Sequence, residues 1–162
     1  MKQKKSTKIQ PRVSIICGSS SDYNLVRETE KILKKLKIKF DTRIVSAHRT
    51  PRRMFDWATN LHKKYTCCIA FAGGSASLPS VTAALSQGIP TIGVPVETSK
   101  LKGLDSILSM CMCPQGCPLA TMPIGKAGAI NAALFAAEII GTFDHKVKAN
   151  VLRWKRNQTQ SV

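Results

Sequence analysis

The sequence predicts an α/β protein: a three-layer α/β/α sandwich around a parallel central sheet. Short apolar, β-rich runs alternate along the chain with segments of helical periodicity. Such alternation builds βαβ units, whose crossovers make neighbouring strands parallel. Two of the runs, Val13–Cys17 and Cys67–Phe71, are apolar almost without interruption, as strands are when helices cover both faces of a sheet. A length of 162 residues with 43% hydrophobic side chains suits one domain with a sizeable core.

The elements follow in order. Val13–Cys17 reads as a buried strand, and Tyr23–Leu36 as a helix carrying Leu25, Val26, Ile32, Leu33 and Leu36. Phe40–Val45 is the second strand. Arg52–Lys64 is helical, with Met54, Trp57, Ala58 and Leu61 spaced i, i+3, i+4, i+7. Cys67–Phe71 is the third strand, followed by a short helix over Pro79–Ser86. Thr91–Val94 forms a fourth strand after the breakers Gly88 and Pro90, and Leu119–Met122 a fifth. The alanine-rich Ala127–Ile140 is a helix. Lys146–Arg156 is a last one, with Val147, Val151 and Trp154 on one side. The chain thus divides into a basic tail over 1–10, a single α/β domain over 11–142, and a helix and tail over 143–162. Little of the domain is left to cover that last helix, which is expected to pack on a neighbouring subunit.

The formal charge is +16. Lysines 2, 4, 5 and 8 lie on the tail, Lys31, Lys34, Lys35, Lys37 and Lys39 on one helix and its exit, and Lys146, Lys148, Arg153, Lys155 and Arg156 near the other end. No zinc finger, RNA-recognition signature or aromatic stacking platform accompanies them. This distribution reads as a basic solvated surface that binds nucleic acid only through nonspecific electrostatics and attracts anionic ligands. No apolar stretch reaches the roughly 18–20 residues of a membrane helix, and no secretory signal is visible, so a cytoplasmic protein is expected.

Six cysteines are present. Cys111-x-Cys113-x3-Cys117 resembles part of a metal cluster but has no nearby fourth ligand, so no metal is expected. Cys17, Cys67 and Cys68 fall within strands and read as small core hydrophobes.

Three turns follow three strands, where ligands collect in open α/β sheets. In Gly18-Ser19-Ser20-Ser21-Asp22 the hydroxyls and the amides of the next helix suit a phosphate, and Asp22 suits ribose hydroxyls. Ser and Asp are equally good helix caps, so this turn alone does not choose between the two readings. In Ser46-Ala47-His48-Arg49-Thr50-Pro51, Thr50 and Pro51 suit a helix start and Arg49 a bidentate phosphate clamp. His48 remains for proton transfer, since imidazole gains and loses a proton near neutral pH. His62 and His145 sit in basic helical stretches and are weaker candidates. In Ala72-Gly73-Gly74-Ser75-Ala76-Ser77 the glycines allow backbone amides close to an anion.

Together these residues resemble the 5-(carboxyamino)imidazole ribonucleotide mutase family of purine biosynthesis, over about Val13 to Ile140. The carriers are the three turns with Leu78-Pro79, then Ile92-Gly93-Val94-Pro95-Val96, Gly103-Leu104-Asp105-Ser106, and Ile124-Gly125-Lys126-Ala127-Gly128 with Asn131-Ala132-Ala133. The resemblance implies a flavodoxin-like fold, a homo-octamer, and an isomerase that needs no ATP, metal or organic cofactor. It implies a carboxylate moving from an exocyclic nitrogen of the ribonucleotide to a ring carbon, by loss and recapture of CO2. His48 would be catalytic. Ser19, Ser21, Ser46, Ala47, Arg49, Gly73, Gly74, Ser75 and Ser77 would bind substrate, the phosphate chiefly, with Asp22 on the ribose.

The chain departs from the family pattern at three places. Ser77 stands where the family has a second active-site histidine, Phe71 where it has a glycine, and Met112-Cys113-Pro114 where it has Gln-Met-Pro. Serine hydrogen-bonds but does not carry a proton at neutral pH. Three alternatives stay open at this point: direct carboxylation of aminoimidazole ribonucleotide with CO2, a catalytically impaired ribonucleotide-binding homologue, and a basic nucleic-acid-binding assembly.

Overall fold

Strands β1 (Arg12–Cys17) and β3 (Cys67–Ala72) form where the sequence is most continuously apolar, and both are buried along nearly their whole length. The computed structural model describes residues 12–160; the basic tail expected over 1–10 lies outside them, as do residues 11, 161 and 162. With β2 (Lys39–Ile44), β4 (Thr91–Pro95) and β5 (Ala120–Thr121), the strands make one parallel sheet in the order β2-β1-β3-β4-β5. Val13 sits opposite Phe40 on one side and Cys67 on the other, which fixes the register at the centre. The edge strand β2 carries charged residues at every second position, Lys39, Asp41 and Arg43, and is only partly buried, as suits an edge.

Helices cover both faces. On one, α1 (Tyr23–Lys35) packs against α5 (Gly125–Gly141). On the other lie α2 (Pro51–Ala58), α3 (Ser77–Leu85) and α4 (Leu104–Cys111). This is the α/β/α sandwich predicted from the alternation, and it has the flavodoxin-like architecture that the resemblance implied. Phe71 fills the middle of the core and is fully buried, a burial that stabilises by about 1.5–3 kcal/mol. Small residues let α5 approach closely. A Cβ on Gly128 would stand 1.8 Å from the Pro123 carbonyl oxygen, so only glycine fits there.

The structure corrects the local reading in three places. The helix predicted over Arg52–Lys64 stops at Ala58. The Thr59 hydroxyl donates to the Phe55 carbonyl at 2.8 Å and the Asn60 amide to that of Asp56 at 2.7 Å. These side chains compete for the carbonyls that would continue the helix, and a single 3₁₀ turn over Leu61–Lys63 follows. Helix α4 was not anticipated at all. Helix α3 begins two residues before the predicted Pro79, at Ser77, and this brings Ser77 onto a helix N-terminus.

The last helix, α6 (His145–Gln160), is capped by the Asp144 carboxylate, which accepts from the Lys146 and Val147 amides. Its apolar stripe meets its own chain. Val147 and Val151 are buried beside α5, and the Asn150 amide donates to the Leu36 carbonyl at 3.0 Å. Leu152 stays exposed and faces outward. Among the described residues no helix is long and apolar enough to cross a membrane.

Candidate active site

The sheet order reverses at β1, which has β2 on one side and β3 on the other. Loops leaving neighbouring strands there part to opposite sides and open a crevice at the carboxyl ends. A cavity of about 440 Å³ occupies it. Its wall takes Gly18, Ser19 and Asp22 from the turn after β1, and Ser46, Ala47, His48 and Arg49 from the turn after β2. After β3 it takes Ala72, Gly73, Ala76, Ser77 and Leu78, and after β4 Val96, Glu97 and Thr98.

Of the residues singled out in the sequence, Ser19, Asp22, Ser46, Ala47, His48, Arg49, Gly73 and Ser77 therefore share one wall. Ser21, Gly74 and Ser75 do not line it but are bonded to residues around it. The Ser21 hydroxyl donates to the Asp22 carboxylate at 3.0 Å. The Gly74 amide donates to the Ser106 hydroxyl at 3.0 Å, and the Ser75 carbonyl accepts from the Ser109 hydroxyl at 2.6 Å. Glu97 and Thr98 were missed, although they follow the fourth strand as the other turns follow theirs.

Each turn is locally determined. The Ser19 hydroxyl accepts from the Ser21 amide and caps the short turn that leads into α1, so it is a cap and a wall residue together. Thr50 does not cap α2 with its side chain, as the sequence suggested. Its hydroxyl closes the preceding turn, donating to the Ser46 carbonyl at 2.9 Å and accepting from the Ser46 amide at 3.1 Å. Gly74 holds φ +67°, a left-handed conformation that favours glycine.

The guanidinium of Arg49 donates from Nη2 to the Gly18 carbonyl at 2.7 Å and from Nε to the Ser46 hydroxyl at 3.4 Å. Two donors thus orient the fork and the others remain for a ligand. Burial pushes the Asp22 carboxyl above the usual aspartate range, against the hydrogen bonds from Ser21 and Ser19 and the charge of Arg49. Beneath the cavity, burial pushes the Cys17 thiol up to about 11. The His48 Nε2 and the Ser77 hydroxyl lie 3.0 Å apart. The Glu97 carboxylate rests against the N-terminus of α5, at 3.2 Å from where a Gly125 Cβ would stand, a position the helix dipole favours for an anion. Among the described residues no group of three or more His, Cys, Asp or Glu is placed to hold a metal ion.

A hydroxyl-lined cavity with one oriented guanidinium, a ring nitrogen and a carboxylate suits a phosphorylated sugar carrying a proton-exchanging group. Comparison with known proteins agrees with this chemistry. A family model described as AIR carboxylase matches residues 12–161. The chain belongs to the AIR carboxylase family. Within reach of this family are proteins named N5-carboxyaminoimidazole ribonucleotide mutase. That of Bacillus subtilis is 43% identical over 155 residues, 95% of each chain. That of Brucella melitensis is 44% identical over 151 residues, 93% of each, and that of Escherichia coli 41% over 152, covering 93% of this chain and 89% of the relative. Among solved structures, Treponema denticola PurE superposes with a TM-score of 0.84 at 28% identity over 93% of both chains. The match to the AIR carboxylase family model, over residues 12–161, spans the sheet and all four turns of the cavity.

Proposed function

We propose that this protein is an N5-carboxyaminoimidazole ribonucleotide mutase acting in purine biosynthesis, with His48 as its proton carrier. The observation that carries the reading is the placement of His48 at the switch point, between two turns suited to a phosphate, in a chain similar over nearly its whole length to proteins named for this reaction.

The chemistry balances within the substrate. The bond from the exocyclic nitrogen to the carboxylate breaks, its electron pair stays on nitrogen, and CO2 is released into the cavity. The electron-rich ring carbon attacks CO2 and a carbon–carboxylate bond forms. One proton leaves that carbon and one reaches the nitrogen, so a single imidazole serves both transfers. CO2 is small and uncharged, so what the protein contributes besides proton transfer is position and enclosure.

In this reading Arg49, Ser19, Ser46 and the Gly73 turn hold the phosphate, and Asp22 accepts from ribose hydroxyls. Ser21, Gly74 and Ser75 support that set from behind. By the family resemblance the reaction is expected to need no metal or organic cofactor. We further propose a homo-oligomer, an octamer by family resemblance. Leu101, Leu104, Leu108 and Met112 support this: they run along one side of α4 and the turn before it, and are 56%, 53%, 51% and 79% exposed. The exposed Leu152 of α6 would add to that contact in this reading. A cytoplasmic location fits the reaction, and nucleic acid is bound only through the basic surface.

The test is turnover of freshly prepared N5-carboxyaminoimidazole ribonucleotide to the carbon-carboxylated product, with His48→Asn as control. A parallel reaction offers aminoimidazole ribonucleotide and bicarbonate. Turnover in the first, lost in His48→Asn while nucleotide binding persists, is the expected result. Product only in the second moves the protein to direct carboxylation, and binding without turnover in either marks an impaired homologue. Light scattering in solution checks the octamer.

A further inference from the structure

Among the described residues the His48 imidazole has one hydrogen-bond partner, the Ser77 hydroxyl, 3.0 Å from Nε2. Its Nδ1 has none among them. Which of the two groups donates depends on the ring's tautomer. A hydroxyl serves either way, because it is both donor and acceptor.

Both ends of this contact are braced. On the histidine side, the Thr50 amide and hydroxyl both donate to the Ser46 carbonyl at 2.9 Å, and the Arg49 amide donates to the Ser46 hydroxyl at 3.2 Å. The turn is closed on itself with His48 inside it, and Arg49 ties it to Gly18. On the serine side, Ala76 takes φ 31°, a conformation L-residues seldom adopt, and turns the chain abruptly into α3. Ser106 and Ser109 of α4 hold Gly74 and Ser75 from behind. Leu78 and Pro79, which follow, are buried and root the start of the helix. The hydroxyl at position 77 is therefore set against His48 by two independently fixed turns.

An exposed imidazole otherwise samples several rotamers, and a proton carrier must stay aligned to within a fraction of an ångström. We propose that Ser77 is a positioning residue: its hydroxyl anchors the His48 ring through Nε2 and leaves Nδ1 to exchange the proton. This rests on the mutase reading for its catalytic half, and on geometry alone for the anchoring half. It replaces the role that the family resemblance gave Ser77, that of a substrate ligand. The two roles differ in the kinetic constant they govern.

The experiment compares Ser77→Ala and Ser77→Thr with the wild type, after melting curves show that all three are folded. The expected result for Ser77→Ala is a kcat lower by roughly 10- to 100-fold with KM within about threefold, and for Ser77→Thr recovery of most of the loss. A raised KM with kcat unchanged, or no change, overturns the proposal. A second readout needs no turnover. In ¹⁵N-histidine spectra, with the His48 signals assigned through His48→Asn, Ser77→Ala moves the Nε2 resonance more than the Nδ1 resonance, because Nε2 is the atom that loses its partner. Aminoimidazole ribonucleotide then shifts Nδ1 more than Nε2. Identical spectra for wild type and Ser77→Ala, or a ligand shift confined to Nε2, overturn the anchoring. If the wild type does not turn over at all, the mutase reading fails and the spectra still decide what Ser77 holds.

Discussion

Arg49 offers the sharpest test of how this cavity holds a phosphate. Its fork is already oriented before any ligand arrives, by the Gly18 carbonyl at 2.7 Å and the Ser46 hydroxyl at 3.4 Å. Arg49→Met keeps much of the stem and removes every donor. Hydrogen bonds to charged groups contribute about 1.5–3 kcal/mol each. At about 1.4 kcal/mol per factor of ten, loss of one such bond weakens binding roughly 10- to 150-fold. The cavity opens to solvent and Arg49 itself is exposed, so screening favours the lower part of that range. Arg49→Lys keeps the charge and loses the fork, and should fall between the two. The assay is calorimetry with aminoimidazole ribonucleotide, which carries the phosphate and lacks the carboxylate. Repeating it with the dephosphorylated nucleoside isolates the phosphate's share, because the mutation should barely change that weaker binding. Equal affinity for the ribonucleotide in wild type and Arg49→Met would refute the reasoning, as would an equal loss with the nucleoside.

Asp22→Asn should separate stability from binding. Folding raises the Asp22 pKa, so the native state holds that proton more tightly than the unfolded chain. Stability is then lost as pH rises from the ordinary aspartate value, 3.8, through the raised one. The variant should melt at or above the wild-type temperature at pH 7, with the difference vanishing below that ordinary value, while its ribonucleotide affinity falls by roughly tenfold or more. A lower melting temperature at pH 7 contradicts the sign. Thiol labelling at pH 8 should reach Cys111, which is exposed, and spare Cys17, Cys67 and Cys68 until the chain unfolds. Burial holds Cys67 up to about 12 and Cys17 at about 11, and early modification of either, read by mass spectrometry, would count against that burial. Gly128→Ala should cost at least about 3 kcal/mol in urea unfolding, because its Cβ meets the Pro123 carbonyl at 1.8 Å. An unchanged midpoint would show that α5 can shift.

The strands were legible because burial on both faces leaves a continuous apolar run, and β1 and β3 carry one. Helix α4 was not, for an instructive reason. Its inward residues are Ser106 and Met110, while Leu104 and Leu108 point outward. Periodicity places a helix by its apolar face, and here that face looks away from the protein's own core, with a serine turned inward to brace the Gly74 turn. Such a pattern is what the proposed oligomer would need on this face. The break at Thr59 and Asn60 was equally hidden, because the apolar spacing continues to Leu61 across it.

The site was legible turn by turn and not as a whole. Hydroxyls, glycines and one His-Arg pair after strands are local signals, and each turn could be read from a handful of neighbouring residues. What joins the turns is not local. Arg49 reaches Gly18 across 31 positions, Gly74 reaches Ser106 across 32, and Ser77 reaches His48 across 29. Each of these spans about one crossover unit, so no spacing rule within a motif can reveal it. The sheet order explains all three. With β2 and β3 flanking β1, the turns that follow them converge above Gly18, and His48 meets Ser77 there. The contact depends on topology first and on side chains second.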